Sequence, residues 1–146
     1  NSKIKSLINI AHGEGFGLPM FEAAREGLPI LTVGWSGQQD FLHHKGKDYF
    51  TPVEFTLQPI QQHAVWDGVL MSGSSWAYAD QGSYKMNLRK TYKNWDSKKK
   101  LATELQKIIN EKFSDEKLFK GFCDQLYDEE EEDIDQWLST FQVKEY

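Results

Sequence analysis

The chain has 146 residues and a net charge of −5, from 17 Lys and Arg against 22 Asp and Glu; that is about one domain of sequence, long enough to bury a real core. The acidic balance argues against a broad nucleic-acid surface, which needs clustered cations to neutralise phosphates. No apolar run approaches the ~20 residues of a membrane-crossing helix.

Asn1-Ser2-Lys3 leads, without a signal-peptide pattern, into Ile4 to Ala11, a largely apolar run of the kind found in a strand buried on both faces. Gly13, Gly15 and Gly17 then crowd a loop before Pro19, a residue suited to the first turn of a helix because its missing N–H would be unpaired there. Leu18 to Glu26 reads as a short helix with Met20, Phe21 and Ala24 facing a core, and Gly27 stands where a helix-terminating glycine belongs. Pro29 to Val33 is a second apolar strand. Strand, helix and strand in so little sequence imply parallel strands joined by a crossover.

Gly34 to Gly37 is the next turn, and Gln38 to His44 can form a short helix before Gly46. Residues 48 to 60 are rich in β-branched and aromatic side chains, but Pro52 and Pro59 restrict them to an edge or extended strand. Gln61 to Asp80 has apolar residues without a period and reads as a packed irregular segment. The remainder is helical. Ser83 is a candidate cap for a helix to about Lys93, with Tyr84, Leu88 and Tyr92 at four-residue spacing. A second helix starts at Asp96 or Ser97 and aligns Leu101, Ala102, Leu105, Ile108, Ile109 and Phe113 on one face. Ser114 caps a third, whose Leu118, Phe119, Phe122, Cys123, Leu126 and Tyr127 repeat the pattern, which makes Cys123 core filler. Cys123 is the single cysteine, so no internal disulfide can form, which fits a reducing cytoplasm. Lys98 to Lys100 and the six acids Asp128 to Asp133 read as solvated runs. A short apolar stripe of Ile134, Trp137, Leu138 and Phe141 follows. The domain reading is therefore 1–127, with an acidic spacer and amphipathic helix over 128–146.

The chemistry concentrates in residues 11 to 33. A glycine loop lets backbone approach a ligand without Cβ interference, and the helix start behind it offers free N–H groups and a positive dipole end to an anion such as phosphate. Glu14 lies in the loop and Glu22 inside the helix, so two carboxylates flank that start. Taken singly, Glu22 is an ordinary solvent-facing helix acid, and Glu14 a loop acid satisfying nearby N–H groups. His12 is a further candidate beside the loop, although a lone His at a strand end is more often structural. His43 and His44 read as surface residues, and no ligand spacing suggests a metal site. There is no P-loop pattern, and Leu18 stands where the dinucleotide fingerprint wants glycine.

Glu14-Gly15-Phe16-Gly17-Leu18-Pro19, Glu22-Ala23 and Gly27-Leu28-Pro29, followed by Trp35-Ser36-Gly37-Gln38 and Asp40-Phe41-Leu42, resemble the Glu-x(7)-Glu region of family 4 retaining glycosyltransferases of GT-B fold. The match is best over about residues 6 to 42 and looser to about 127. The resemblance implies an α/β fold: a partial Rossmann-like parallel sheet of about three strands, flanking helices and a helical C-terminal half. It implies a nucleotide-sugar donor and transfer of a hexosyl group with retention of configuration, without metal or other cofactor. Glu14 would accept from donor-sugar hydroxyls, with catalytic effect; Gly15, Phe16 and Gly17 N–H groups would line that sugar. Leu18 N–H would face the diphosphate, and Glu22 would hold the ribose hydroxyls, since one carboxylate accepts from two vicinal hydroxyls at once.

A GT-B enzyme places its site between two Rossmann-like domains, so the resemblance makes this chain a C-terminal fragment, inactive alone, lacking the N-terminal acceptor domain and the family's basic diphosphate pair. The full-length enzyme would be cytoplasmic or membrane-peripheral. The strand at residues 4 to 11 would lack a neighbour on one side, an apolar edge to be covered by self-association or by the chain's own termini. A non-catalytic, oligomerising remnant of the same fold is the competing expectation.

Overall fold

A computed structural model describes residues 3–126. The chain divides into two compact units, Asn1–Asn110 and Glu111–Tyr146. The expected boundary at 127/128, the acidic run and the stripe ending at Phe141 lie outside the described residues.

The elements follow in order: β1 (Leu7–Asn9), α1 (Leu18–Arg25), β2 (Ile30–Val33), α2 (Gln39–Leu42), β3 (His43–His44), β4 (Lys47–Asp48), β5 (Thr51–Val53), β6 (Phe55–Pro59), β7 (Ser75–Ala79), α3 (Gln81–Lys93), α4 (Trp95–Lys112) and α5 (Asp115–Leu126). The fold is mixed α/β around a small parallel sheet in the order β1-β2-β5. Two antiparallel pairs, β3-β4 and β6-β7, are appended to it.

β2 is the centre strand and is buried throughout, as its Ile-Leu-Thr-Val composition requires of a strand covered on both faces. Register partners on neighbouring strands point the same way, so Leu31 and Val33 share a face with Thr51 and Val53. α3 covers that face with Tyr84 and Leu88, and Trp35, Phe55 and Ala79 complete the cluster. The Thr91 and Thr51 hydroxyls meet there at 3.4 Å. α1 packs on β1 and β2 and buries Met20, Ala23 and Ala24. Gly27, at φ +62°, turns the chain out of α1, and Lys99 Nζ and Gln106 Nε2 of α4 donate to the carbonyls of Gly27 and Arg25 at 2.6 and 2.7 Å. Lys99 is thus a cap on the negative end of α1 and not part of a solvated run.

β1 pairs with β2 alone among the described strands. Its Ile8 shares a face with Leu31, yet Ile4, Ile8 and Ile10 are exposed, so the strand expected to be buried on both faces is half-buried on one and exposed on the other. The reason is reach: α3 lies over β5 and β2.

Several local expectations need correction. The extended stretch at 48–60 breaks at Glu54: Thr51–Val53 joins the parallel sheet as an edge strand carrying Pro52, while Phe55–Pro59 leaves it to pair with Ser75–Ala79. The segment expected to be irregular over 61–80 therefore ends in an ordered strand, Ser75–Ala79, visible only once its partner β6 is known. α3 is capped by Asp80, whose carboxylate accepts from Ser83 N–H at 2.6 Å; Ser83 lies inside the helix, and its hydroxyl accepts from Glu54 N–H at 3.0 Å. Tyr92 is exposed at the end of that helix. α4 buries Ala102, Leu105 and Ile109 as its period demands, and starts at Trp95. In the second unit, Leu118, Phe119, Phe122, Cys123 and Leu126 of α5 are all exposed. Cys123 is not core filler: an amphipathic period marks a face able to be buried, and no described residue of that unit buries it.

At the surface of the first unit, Lys47 Nζ donates to Glu104 at 2.8 Å, which holds the Glu104 carboxyl below its ordinary range and Lys47 above it. The carboxylate's contribution to stability is present above its unfolded value and lost as pH falls; that of the ammonium is lost as pH rises through its raised value. Both groups are exposed and screened. Lys47→Met should therefore move the Glu104 titration midpoint upward by NMR while leaving the melting temperature nearly unchanged. By contrast, Leu31→Ala at the buried centre of the sheet should cost about 2–5 kcal/mol in urea unfolding.

Candidate functional site

All three parallel strands release their chain at one edge of the sheet, the carboxyl edge, where open α/β sheets bind ligands. Residues 10–17 leave β1 there, residues 34–38 leave β2, and Glu54 leaves β5.

The first loop is tied from both ends. Asn9, the last residue of β1, accepts from Ala11 N–H through Oδ1 at 2.8 Å and donates through Nδ2 to a Glu14 carboxylate oxygen at 2.8 Å. A short polar side chain at a strand end commonly bonds the backbone two residues on; here its other end orients the half-buried Glu14.

The second loop clasps the first. Ser36 Oγ accepts from Glu14 N–H at 3.1 Å and donates to the Glu14 carbonyl at 2.7 Å, and Gly37 N–H donates to the same carbonyl at 3.1 Å. Ser36 holds φ +78°, a left-handed conformation that non-glycine residues seldom adopt, in order to present that hydroxyl. At Gly37 no side chain fits: a Cβ would stand 1.9 Å from the Gly15 carbonyl oxygen. Gln38 closes the floor. It is 1% exposed, donates to the Val33 carbonyl at 3.1 Å, and its Cβ lies 3.2 Å from where a Gly17 Cβ would be.

Gly17, at φ +86°, turns the loop into α1, and its carbonyl accepts from Met20 and Phe21 N–H at 2.9 and 3.0 Å. No side chain caps the helix, Pro19 contributes no N–H, and the first turn holds no acid, so its positive end is left uncompensated from within. Leu18 is exposed at that end. One turn on, Glu22 shares its face and is exposed, lining a cleft of about 400 Å³ with Arg25, Glu26, Gln106 and Asn110. The Phe16 side chain turns inward instead, its ring 5.2 Å from Phe21 and 5.1 Å from Phe41, so it anchors the loop on α1 and α2.

His12 is held by the β6-β7 arm. Its Nδ1 donates to the Ala77 carbonyl at 2.8 Å, so that nitrogen carries the proton, and its own carbonyl accepts from Ala77 N–H at 3.1 Å. Its ring stacks on Trp76 at 4.9 Å and meets Tyr78 at 4.6 Å. His43, also exposed, donates to Asp48 at 2.7 Å. Among the described residues no group of three or more His, Cys, Asp or Glu could hold a metal ion, and no helix is long and apolar enough to cross a membrane.

The site thus gathers Glu14, Gly15 and Gly17 against Ser36, Gly37 and Gln38, with Leu18 and Glu22 following on the exposed face of α1. Sequence reasoning missed Asn9 and the arm residues Trp76 and Ala77. A lone polar residue ending an apolar strand was the available signal for Asn9; none pointed to the arm. Compared with known protein families, curated proteins and solved structures, the chain finds no match.

Gly37→Ala should break the clasp, because neither backbone atom it meets can move without carrying its loop along. The expected cost is on the order of 1–3 kcal/mol, read by urea unfolding, with faster amide exchange at Glu14.

Proposed function

We propose that this chain is the nucleotide-sugar donor-binding part of a retaining hexosyltransferase of the family 4, GT-B type. On this reading β1, α1, β2 and β5 belong to a Rossmann-like, doubly wound sheet. The observation that carries the reading is the clasped loop itself, which delivers Glu14 and the open N-terminus of α1 to the carboxyl edge of the sheet.

Each residue then has a task its chemistry suits. Glu14, oriented by Asn9, accepts hydrogen bonds from donor-sugar hydroxyls. The Gly15, Phe16 and Gly17 backbone lines the same sugar. Leu18 N–H and the helix end face the diphosphate, whose negative charge the dipole favours. Glu22, exposed one turn later, takes the two ribose hydroxyls. His12 borders the sugar end of the site. These groups bind and orient a donor; no cofactor or metal is assigned a part. A partner domain presents the acceptor and supplies cations to the leaving diphosphate, a large term in such chemistry, so the chain alone binds donor and does not transfer it.

The second reading, a non-catalytic remnant that assembles through its sheet, is favoured by one observation: among the described strands β1 is paired on one side only, with Ile4, Ile8 and Ile10 exposed beside it. Under the first reading a strand of the partner domain or a second copy covers that edge.

Calorimetric titration with UDP-, GDP- and ADP-sugars separates the two. Binding of one donor, weakened tenfold or more by Glu22→Ala (about 1.4 kcal/mol), is the expected result. Unchanged binding in that variant would sink the assignment of Glu22, and no binding of any donor would favour the remnant.

A further inference from the structure

The β6-β7 arm ends in a turn that the donor site does not use. Its backbone is closed on itself: Trp66 N–H donates to the Leu70 carbonyl at 3.0 Å, while Leu70 and Val69 N–H donate to the Trp66 carbonyl at 2.7 and 2.9 Å. Gly68, at φ +77°, makes the bend. Three of its side chains are left to solvent, with Trp66 67%, Val69 61% and Met71 59% exposed. Three large apolar side chains within six consecutive residues are thus exposed together on one ordered turn.

From this turn we infer that the tip of the arm is a shallow contact for a lipid bilayer, a surface independent of the donor reading. Three physical points select that occupant. A tight turn closed on its own backbone does not by itself enclose a small ligand. Its apolar area, on the order of 400 Å², is about half of what each partner buries in a stable protein interface, so a second copy is poorly served by it. Entry into an apolar phase requires satisfied backbone groups, which the Trp66 and Leu70 bonds provide at this bridge. Trp also favours the headgroup level. Asp67, the only Asp, Glu, Lys or Arg between Gln61 and Met71, sets the depth and the lipid. Its carboxylate keeps the bend among the headgroups and gives no attraction to anionic lipid, so the contact is apolar and suits zwitterionic headgroups.

The test is co-sedimentation of the full chain with phosphatidylcholine vesicles. Binding is expected, accompanied by a blue shift of tryptophan emission, insensitive to salt and not increased by phosphatidylserine. Trp66→Ser with Val69→Ser should reduce the bound fraction roughly tenfold, and Trp66→Phe should retain most of it. Because these side chains are exposed, the urea transition of the variants should match that of the parent; if the double variant unfolds, Val69→Ser and Met71→Ser singly provide the same comparison. Absence of binding to phosphatidylcholine, equal binding by the variants, or binding confined to anionic vesicles and lost in salt would each overturn the inference. So would a concentration-dependent dimer abolished by the same substitutions, which would make a second copy the occupant.

Discussion

Gly15 and Gly37 bring two loops together backbone against backbone, with Ser36 bonded to both the N–H and the carbonyl of Glu14. The geometry around the candidate site depends on that contact. The loops leave adjacent parallel strands, so without the clasp each would be an independent excursion from the sheet edge. Bound together, they give Glu14 a defined place and leave the helix end beyond Gly17 open. The buried Gln38 supports the joint from below by tying it to the last residue of β2. A left-handed serine in the second loop is conformationally unfavourable, and three hydrogen bonds to one residue of the first loop offset it.

The same edge receives a second support from further along the chain. β6 and β7 form an arm that returns to the loop at His12, where two hydrogen bonds to Ala77 and a stack on Trp76 hold the strand exit. The arm is anchored at its base too, since Asp80 N–H donates to the Glu54 carbonyl at 2.7 Å where the chain enters α3. A short sheet of three strands is thereby stiffened at the end that carries the site. The opposite flank is less complete. Among the described strands β1 pairs on one side only, and the isoleucines on the face that α3 does not reach are exposed.

Much of the parallel sheet was legible in the chain, because its signals are local. β2 is an apolar run between a helix-terminating glycine and a turn, and α1 carries its Pro and Gly at the positions such residues occupy for conformational reasons. The face of α4 with Ala102, Leu105 and Ile109 followed from a 3.6-residue period. Failures came where a residue's role depends on a distant partner. Residues 75 to 79 have no helical or strand period strong enough to stand alone, and become a strand only against Phe55 to Pro59. Cys123 and its neighbours have a perfect amphipathic spacing and no described cover within their unit. Ser83, a natural capping residue, yields that role to Asp80 because the helix starts three residues earlier than expected.

Within the site, the sequence by itself determined which groups are available: the glycine loop, the proline-started helix, and two carboxylates eight positions apart. Those follow from covalent chemistry and backbone conformational preference, which act over a few residues. Only the tertiary structure decided which of them meet. Asn9 orients Glu14 because the chain doubles back over five residues, Gly37 must be glycine because another loop's carbonyl occupies the place of its side chain, and Phe16 serves as an anchor because two aromatic rings lie beneath it. Through-space contacts of this kind leave no local periodicity, so they could be read only from the folded chain.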